Sequence, residues 1–256
     1  MKLHFSKYQG TGNDFIVVDN RSGEFKPRVD QIVKLCDRRF GIGSDGLILI
    51  EETGFSDFYM NFFNPDGSQS FCGNGSRCAV RFAQKLGLVG ASGEFKAIDT
   101  KHDFTSDDEI VSIRMKTVLG IDRENEDFII HTGSPHYIIY KDGIDGISLV
   151  EEARKIRYND RFKEEGINVN YVEEHSDYLK VRTYERGVEE ETLSCGTGVT
   201  AMALSYGYLH AELNAVQIET RGGKLEVTFR NLGNGEFEDV WLKGPANFVY
   251  EGELEI

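Results

Sequence analysis

Short runs of alternating or mostly apolar residues dominate the chain and predict β-strands. The runs DFYMNFF, EIVSIRM, HYIIY and YLKVRTY are rich in the β-branched and aromatic residues typical of strands. The segment VQIETRGGKLEVTF places a glycine pair between two such runs, which predicts a hairpin. The longest apolar runs, such as FIVV and LILI, are far too short to cross a bilayer, so no membrane partner is expected.

Four segments have the apolar spacing of helices: residues 30–39, 73–86, 149–158 and 196–209. Two of them, 73–86 and 196–209, begin directly after a cysteine. The segment 196–209 is apolar nearly all round, and a helix with no polar face must be enclosed by other elements. The acidic run Glu189 to Glu191 is predicted to lie in a solvated loop.

The sequence Cys-Gly-X-Gly occurs twice, in FCGNGSRC at Cys72 and in LSCGTGVT at Cys195. Upstream, GNDFIVV begins at Gly12 and GSPHYII at Gly133, which are 60 and 62 residues before the respective cysteines. The segments GIGSDGLILIEE and GINVNYVEEH fall between them in the same order. Matching order over half the chain is typical of an internal repeat.

The elements and the repeat together predict an α+β fold of two homologous domains. Each domain is expected to be a curved, mainly antiparallel sheet or barrel wrapped around the helix that begins at its cysteine motif. The first domain is predicted to cover residues 1–117 and the second residues 118–248. A pseudo-two-fold relation between the domains would bring the two cysteines to opposite sides of one cleft.

Each cysteine motif combines a thiol with an anion-binding site. Glycines after the cysteine let a ligand approach the backbone, and the free N–H groups of a helix N-terminus favour a carboxylate. The same helix end lowers the pKa of a neighbouring thiol. Two such thiols on opposite faces of an amino acid's α-carbon can remove a proton from one face and return one to the other. We therefore predict an acid–base pair, Cys72 and Cys195, working without a cofactor or metal.

Composition narrows the remaining possibilities. The net charge of -14 argues against nucleic acid as a partner, because phosphate binding needs clustered Lys and Arg. Four cysteines in 256 residues do not form a disulfide framework, so reduced thiols and a cytoplasmic location are expected. Cys36 and Cys78 are predicted to be core residues. The sequence leaves the oligomeric state open and is compatible with a homodimer.

Several segments resemble the signature segments of the diaminopimelate epimerase family, in order and over nearly the whole chain: GTGNDFIVVDN, GIGSDG, FFNPDGSQSFCGNGSRC, GSPH and YERGVEEETLSCGTG. The resemblance implies cofactor-independent interconversion of LL- and meso-diaminopimelate, on the route to lysine and peptidoglycan precursors. It places the two bases of the family on Cys72 and Cys195. It also implies that the chain after about Phe248, residues 249–256, returns to the first domain.

The resemblance further assigns the groups around the substrate, an amino acid. The backbone donors for the reacting carboxylate would be Gly73, Asn74, Gly196 and Thr197. A site-stabilising role would fall on His136, for which a purely structural role is an equal alternative. The side chains that contact substrate would be Asn13, Asn64, Asn168, Glu185 and Arg186.

Two positions depart from the family's pattern: Gly46 stands where a glutamine is frequent, and Ser134 where an asparagine is frequent. These changes leave open a racemase or epimerase of another amino acid on the same scaffold. A thiol redox protein is a third alternative, although the chain has no Cys-X-X-Cys motif. Arg186 favours a substrate with a second carboxylate, unless it belongs to a surface ion pair.

Overall fold

A computed structural model describes residues 2–256, and the chain divides into two compact units. Unit 1 contains the chain up to Ile113 together with Gly244–Ile256, and unit 2 contains Arg114–Lys243. None of the helices within residues 2–256 combines the length and the apolar character needed to span a membrane.

Unit 1 is an eight-stranded sheet with two helices. The helices are α1 (Val29–Cys36) and α2 (Gly73–Lys85). The strands are β1 (Lys2–Gly10), β2 (Asn13–Asp19), β3 (Gly46–Glu51), β4 (Phe58–Phe63), β5 (Ser92–Lys96), β6 (Lys101–Asp107), β7 (Ile110–Arg114) and, from the end of the chain, β17 (Asn247–Glu255). Their order is β17-β1-β2-β3-β4-β5-β6-β7, with β2–β3 and β4–β5 parallel and the other pairs antiparallel. Helix α2 packs against β1 to β4.

Unit 2 has the same architecture. Its helices are α3 (Leu149–Arg157) and α4 (Gly196–Leu209). Its strands are β8 (Asp122–Glu124), β9 (Asp127–His131), β10 (Pro135–Tyr140), β11 (Asn168–Glu174), β12 (Leu179–Glu185), β13 (Glu190–Thr192), β14 (Ala215–Thr220), β15 (Gly223–Gly233) and β16 (Glu236–Pro245). The order is β8-β9-β10-β11-β12-β14-β15-β16, and β10–β11 and β12–β14 are the parallel pairs.

The two units repeat each other pair by pair. In both, the parallel and antiparallel pairings follow one another in the same order, and β17 of unit 1 takes the place that β8 has in unit 2. Helices α2 and α4 begin at the residue after Cys72 and Cys195 and lie against the sheets of their own units. These features confirm the predicted α+β class, the four helices and the hairpin of β14 and β15.

The enclosure predicted for the apolar helix is also confirmed. Most side chains of α4 are buried, and the helix packs against strands β9 to β11, β14 and β15. Cys36 and Cys78 are core residues, as expected. Burial raises the pKa of the Cys78 thiol to about 12, so this thiol remains protonated at neutral pH.

The prediction of a solvated loop at Glu189 to Glu191 is wrong in part: Glu189 lies in a turn and Glu190 is exposed, but Glu190 and Glu191 belong to a strand and Glu191 is half-buried. Glu190 and Glu191 lie in the short strand β13, which pairs with β12. Glu191 is paired with Arg182 at 2.8 Å, and Glu189 accepts the hydroxyl proton of Tyr184 at 2.8 Å. Charge alone did not indicate these partners, because the chain turns back between β12 and β13 and brings together residues that are five to nine positions apart.

Candidate active site

Cys72 occupies the N-cap of α2, where the chain leaves an extended conformation (φ -130°, ψ 109°) and enters the helix. Its Sγ accepts the backbone N–H of Gly75 at 3.4 Å. The first helical residues, Gly73 and Asn74, are buried. Their backbone N–H groups belong to the helix end that favours a carboxylate, as the sequence predicted for this motif.

Asn13 presents a hydrogen-bond acceptor to Cys72. Its amide Nδ2 donates to Asp45 Oδ2 at 2.8 Å, which leaves Oδ1 facing away from that carboxylate. This Oδ1 lies 3.8 Å from Cys72 Sγ and accepts the side-chain amide of Asn74 at 3.3 Å. Asp45 was not identified from the sequence, although GIGSDG contains it.

Arg77 is a fully buried cation one turn into the same helix, and it was also missed from the sequence. Its guanidinium donates to Asn74 Oδ1 at 3.0 Å and to the carbonyl oxygen of Pro245 at 3.2 Å. Burial lowers the pKa of Arg77 to about 10, so the group keeps its charge at neutral pH. The charge adds to the positive end of α2 and strengthens its preference for an anion.

Behind Asn13, a cluster of charges holds the start of β2. Asp14 forms ion pairs with the buried Lys7 at 2.7 Å and with Arg38 at 2.6 Å. Burial opposes ionisation of Asp14, but hydrogen bonds and charge from Arg38 and Lys7 outweigh it and lower the pKa to about 2. Arg38 also pairs with Asp45 at 2.8 Å, so the cluster fixes the carboxylate that orients Asn13.

Asn64 bonds within its own loop. Its Nδ2 donates to Ser68 Oγ at 3.0 Å and lies 3.2 Å from Ser70 Oγ. These contacts shape the turn between β4 and Cys72. The substrate contact assigned to Asn64 by resemblance stays a prediction.

In unit 2, Cys195 occupies the N-cap of α4 (φ -120°, ψ 113°) and is 8% exposed. Its Sγ lies 3.5 Å from the hydroxyl Oγ1 of Thr197, in the first turn with Gly196. The same hydroxyl is 3.0 Å from Nε2 of His136, which lies at the start of β10. The predicted residues Cys195, Thr197 and His136 are thus brought together.

His136 is completely buried, and this burial lowers the pKa of its imidazole to about 3. Its other ring nitrogen, Nδ1, is 3.2 Å from the side-chain amide nitrogen of Asn170 on β11. The ring is therefore neutral at physiological pH. These hydrogen bonds are those of a structural histidine, one of the two roles considered for His136. Its contact with the Thr197 hydroxyl also connects it to Cys195, whose Sγ lies 3.5 Å from that hydroxyl.

The side-chain amide of Asn168 makes three hydrogen bonds. Its Nδ2 donates to Ser134 Oγ and to the carbonyl oxygen of Pro135, both at 2.8 Å. Its Oδ1 accepts the backbone N–H of Arg186 at 2.9 Å. Asn168 therefore positions the segment that carries Arg186, next to the half-buried Glu185 at the end of β12.

The side chain of Arg186 is exposed, and its guanidinium donates to the carbonyl oxygen of Glu165 at 2.9 Å. Within residues 2–256 it has no ion pair, so the surface pair considered from the sequence is not seen. A guanidinium held by its backbone and by one carbonyl keeps donors for a carboxylate ligand.

The structure gives a physical reason for the glycine at position 46 and shows a hydrogen-bonding role for Ser134. A Cβ atom at Gly46 would lie 2.4 Å from Cε2 of Phe62, so the Phe62 ring fills the space of a larger side chain. Ser134 accepts a hydrogen bond from the side-chain amide of Asn168 and so helps to hold the segment that carries Arg186.

No group of three or more His, Cys, Asp or Glu side chains among the described residues is arranged to hold a metal ion.

Comparison with known proteins identifies the family of the chain. A family model described as diaminopimelate epimerase matches residues 5–117 and 128–249. Each matched segment contains one of the two cysteine motifs. The chain belongs to the diaminopimelate epimerase family. The resemblance inferred from the sequence segments is thereby confirmed.

Members of the family from distant bacteria match nearly the whole chain. The diaminopimelate epimerase of Flavobacterium psychrophilum is 47% identical over 256 residues, covering 98% of this chain and 99% of the relative. That of Chlorobaculum tepidum is 39% identical and covers 96% of this chain and 99% of the relative. That of Aquifex aeolicus is 37% identical, with 98% of both chains covered.

Solved structures share the fold at low identity. A phenazine biosynthesis protein of the PhzF family from Bacillus anthracis has a TM-score of 0.75 at 13% identity, with 100% of both chains covered. A probable proline racemase from Agrobacterium radiobacter, solved with bound carbonate, has a TM-score of 0.72 at 12% identity, covering 99% of this chain and 93% of that chain. These similarities concern the fold alone.

Proposed function

We propose that this chain is a diaminopimelate epimerase that inverts one α-carbon of diaminopimelate, interconverting the LL- and meso-isomers. The observation that carries the proposal is the repeated placement of a cysteine at the N-cap of a buried helix, at Cys72 and at Cys195. In support, the chain is 47% identical over 256 residues to the diaminopimelate epimerase of Flavobacterium psychrophilum. The product would serve lysine and peptidoglycan precursor synthesis.

The proposed reaction is a proton transfer on each face of the α-carbon. One cysteine, as thiolate, takes the α-proton, and the electron pair of the broken C–H bond stays on the carbon and delocalises into the substrate carboxylate. The other cysteine, as thiol, gives its proton to the opposite face. The sulfur that was a thiolate ends as a thiol and the reverse, so the return reaction uses the same pair with the roles exchanged.

The helix ends supply the stabilisation that the weakly acidic α-proton requires. N–H groups at the first turns of α2 and α4, with the buried charge of Arg77, would hold the carboxylate where negative charge grows. Such donors cost little reorganisation because the helices already fix them. The proposal assigns this role to the residues that follow each cysteine: Gly73, Asn74, Gly196 and Thr197.

The second carboxylate of diaminopimelate is assigned to Arg186, whose guanidinium is exposed and has no acidic partner in the described chain. The polar contacts assigned by resemblance to Asn13, Asn64, Asn168 and Glu185 belong to the same proposal. Because the chemistry needs reduced thiols, we also place the enzyme in the cytoplasm.

The test is proton exchange by the reduced protein in deuterated water. With LL-diaminopimelate, the wild type should incorporate deuterium at an α-carbon and form the meso-isomer. Cys72→Ala and Cys195→Ala should each lose at least a hundredfold in turnover, consistent with the loss of one acid–base group. Cys36→Ala, which changes a buried thiol outside the site, is the matched control.

The outcomes separate the alternatives. Exchange with other amino acids but not with diaminopimelate would indicate a racemase of different specificity. No exchange with any amino acid, together with reversible thiol oxidation, would favour a redox protein. Activity within tenfold of the wild type in either cysteine variant would refute the two-base mechanism.

A further inference from the structure

We propose that Asn170 is a positioning residue for Cys195: through His136 and Thr197 it directs a hydroxyl proton at Cys195 Sγ and so favours the thiolate of that cysteine. The inference rests on the proposed function, in which Cys195 is one of the two bases. It concerns a chain of four side chains, Asn170, His136, Thr197 and Cys195, which we call the Asn170 relay.

The relay has a direction because the amide of Asn170 is fixed. The atom of Asn170 that lies 3.0 Å from the backbone carbonyl oxygen of Tyr137 must be the nitrogen, since a carbonyl oxygen can only accept. The same nitrogen lies 3.2 Å from His136 Nδ1, and the amide oxygen accepts the hydroxyl of Thr183 at 3.0 Å. If the Asn170 amide were flipped, its oxygen would face the carbonyl oxygen of Tyr137, and neither atom could donate a hydrogen bond.

Because Asn170 donates, His136 Nδ1 accepts, and the single proton of the neutral ring lies on Nε2. Burial is the largest influence on this imidazole and lowers its pKa; it outweighs the hydrogen bond with Asn170, which acts in the opposite sense, and the positive charge of Arg186 lowers the pKa further. Nε2–H therefore donates to Thr197 Oγ1 at 3.0 Å. Because Thr197 Oγ1 accepts this hydrogen bond, its own hydroxyl hydrogen can point toward Cys195 Sγ at 3.5 Å, where a thiolate is the better acceptor.

The repeat shows that the fold itself does not require this polar chain. By strand register, His136 lies opposite Asn168 and Asn170 opposite Thr183, whereas the corresponding pairs in unit 1 are Phe15 with Gly46 and Ile48 with Phe62. In unit 1, apolar residues thus stand at the positions of His136 and Asn170, namely Phe15 and Ile48, whereas the position of Thr197 keeps a polar residue, Asn74. Buried polar groups are costly unless they are fully bonded, so their retention in one repeat points to a task at Cys195.

The two cysteines differ in the hydrogen-bonding group that faces the sulfur: an acceptor at Cys72 and, in the relay, a donor at Cys195. Thr197 lies two residues after Cys195 with its hydroxyl 3.5 Å from the sulfur, and in the relay this hydroxyl is the donor. Asn74 lies two residues after Cys72, but its amide donates to Asn13, whose Oδ1 is an acceptor for the Cys72 thiol. The duplicated motifs have therefore diverged in their hydrogen bonding while keeping the same helix geometry.

The test measures the pH profile of Cys195 alkylation by iodoacetamide, followed by peptide mass spectrometry, in a Cys72→Ala background. Thr197→Val removes the hydroxyl with little change of shape and should raise the pH midpoint by about one unit. Asn170→Leu should raise it in the same direction. Thr197→Ser keeps the hydroxyl and should retain the wild-type midpoint.

The matched control is Thr200→Val, which removes a buried hydroxyl in the same helix that donates to the Gly196 carbonyl oxygen and lies outside the relay. It should leave the midpoint unchanged. If Thr197→Val leaves the midpoint at the wild-type value, or if Thr200→Val shifts it equally, the relay is refuted.

A second measurement avoids substitution in the core. Nitrogen-15 NMR of the imidazole should show His136 as the neutral Nε2–H tautomer in the wild type. The opposite tautomer would reverse the relay and overturn the proposal. Neither measurement uses a substrate, so a shifted midpoint in a protein without epimerase activity would support the relay and reject the proposed function.

Discussion

Asp45 accepts the side-chain amide of Asn13 at 2.8 Å, and this contact decides which end of Asn13 faces Cys72. With the nitrogen engaged, the oxygen lies 3.8 Å from the sulfur and stabilises the thiol form as an acceptor. Asp45 itself is held by Arg38 at 2.8 Å. We therefore expect Asp45, which does not contact the sulfur, to influence the protonation of Cys72 through Asn13.

Asp45→Asn should lower the pH midpoint of Cys72 alkylation by about 0.5 to 1 unit, because it removes a negative charge and releases the Asn13 amide to offer its nitrogen. Peptide mass spectrometry at Cys72 measures the midpoint. Asp30→Asn, on α1 of the same unit, removes a charge that pairs with Arg28 and is the control. An unchanged or raised midpoint in Asp45→Asn would contradict the orienting role.

Gly198→Ala should reduce turnover about tenfold or more, whereas Gly75→Ala, at the equivalent position of the repeat, should have a smaller effect. A Cβ at Gly198 would lie 3.0 Å from Asn170 Oδ1 and 3.2 Å from His136 Cε1, so it displaces the Asn170 relay. At Gly75 it would meet the ends of Ile48 and Met60, both at 3.3 Å, which can shift. Paired assays of turnover and melting temperature test this order, and a larger loss in Gly75→Ala would reverse it.

Arg186→Met should raise the KM for diaminopimelate about ten- to a hundredfold with a smaller change in kcat, since a charge-assisted contact to the second carboxylate is lost. Steady-state kinetics should show little effect on an analogue without that carboxylate. The control is Arg161→Met, which removes an exposed guanidinium paired with Glu124. Equal effects on both substrates would remove the role assigned to Arg186.

Asp14 should make stability depend on acid pH. Its folded pKa of about 2 lies below the ordinary value of 3.8, so its ion pairs stabilise the fold above about pH 4 and are lost as pH falls toward 2. The shift corresponds to at most about 2 kcal/mol of unfolding free energy, because Asp14 is partly exposed and solvent screens its ion pairs. Urea denaturation should show Asp14→Asn less stable than wild type at neutral pH.

The difference between Asp14→Asn and wild type should narrow between pH 4 and 2, where the wild-type carboxylate also becomes neutral. Lys7 is left buried without its carboxylate in the variant, which adds to the loss at neutral pH. A difference that stays constant over this pH range would show that the ion pairs are not its cause.

Local sequence patterns predicted much of the fold. The helices after Cys72 and Cys195 begin where the motifs place them, and the hairpin of β14 and β15 forms around its glycines. These features depend on residues close in sequence. The segments that resemble the family contain the same two cysteine motifs, so the resemblance and the local sequence patterns point to the same two helix starts.

The sequence could not reveal contacts that depend on strand pairing. Asn170 is one of several alternating residues in NVNYVEE, and only the parallel pairing of β10 with β11 brings it to His136. Arg77 was visible in FCGNGSRC, but its burial depends on the way α2 packs inside its sheet. The missed residues are therefore those whose partners come from other strands.

The pairing of β17 with β1, from Lys2 opposite Glu255 to Gln9 opposite Asn247, bears on how the chain folds during synthesis. Residues 247–255 leave the ribosome after all of unit 2, so β1 remains an open edge while the later unit is already complete. Nascent protein halted before residue 247 would expose that edge to other chains, a known starting point for aggregation. During synthesis, the first strand, β1, therefore gains its partner on that edge only after the last strand, β17, has been made.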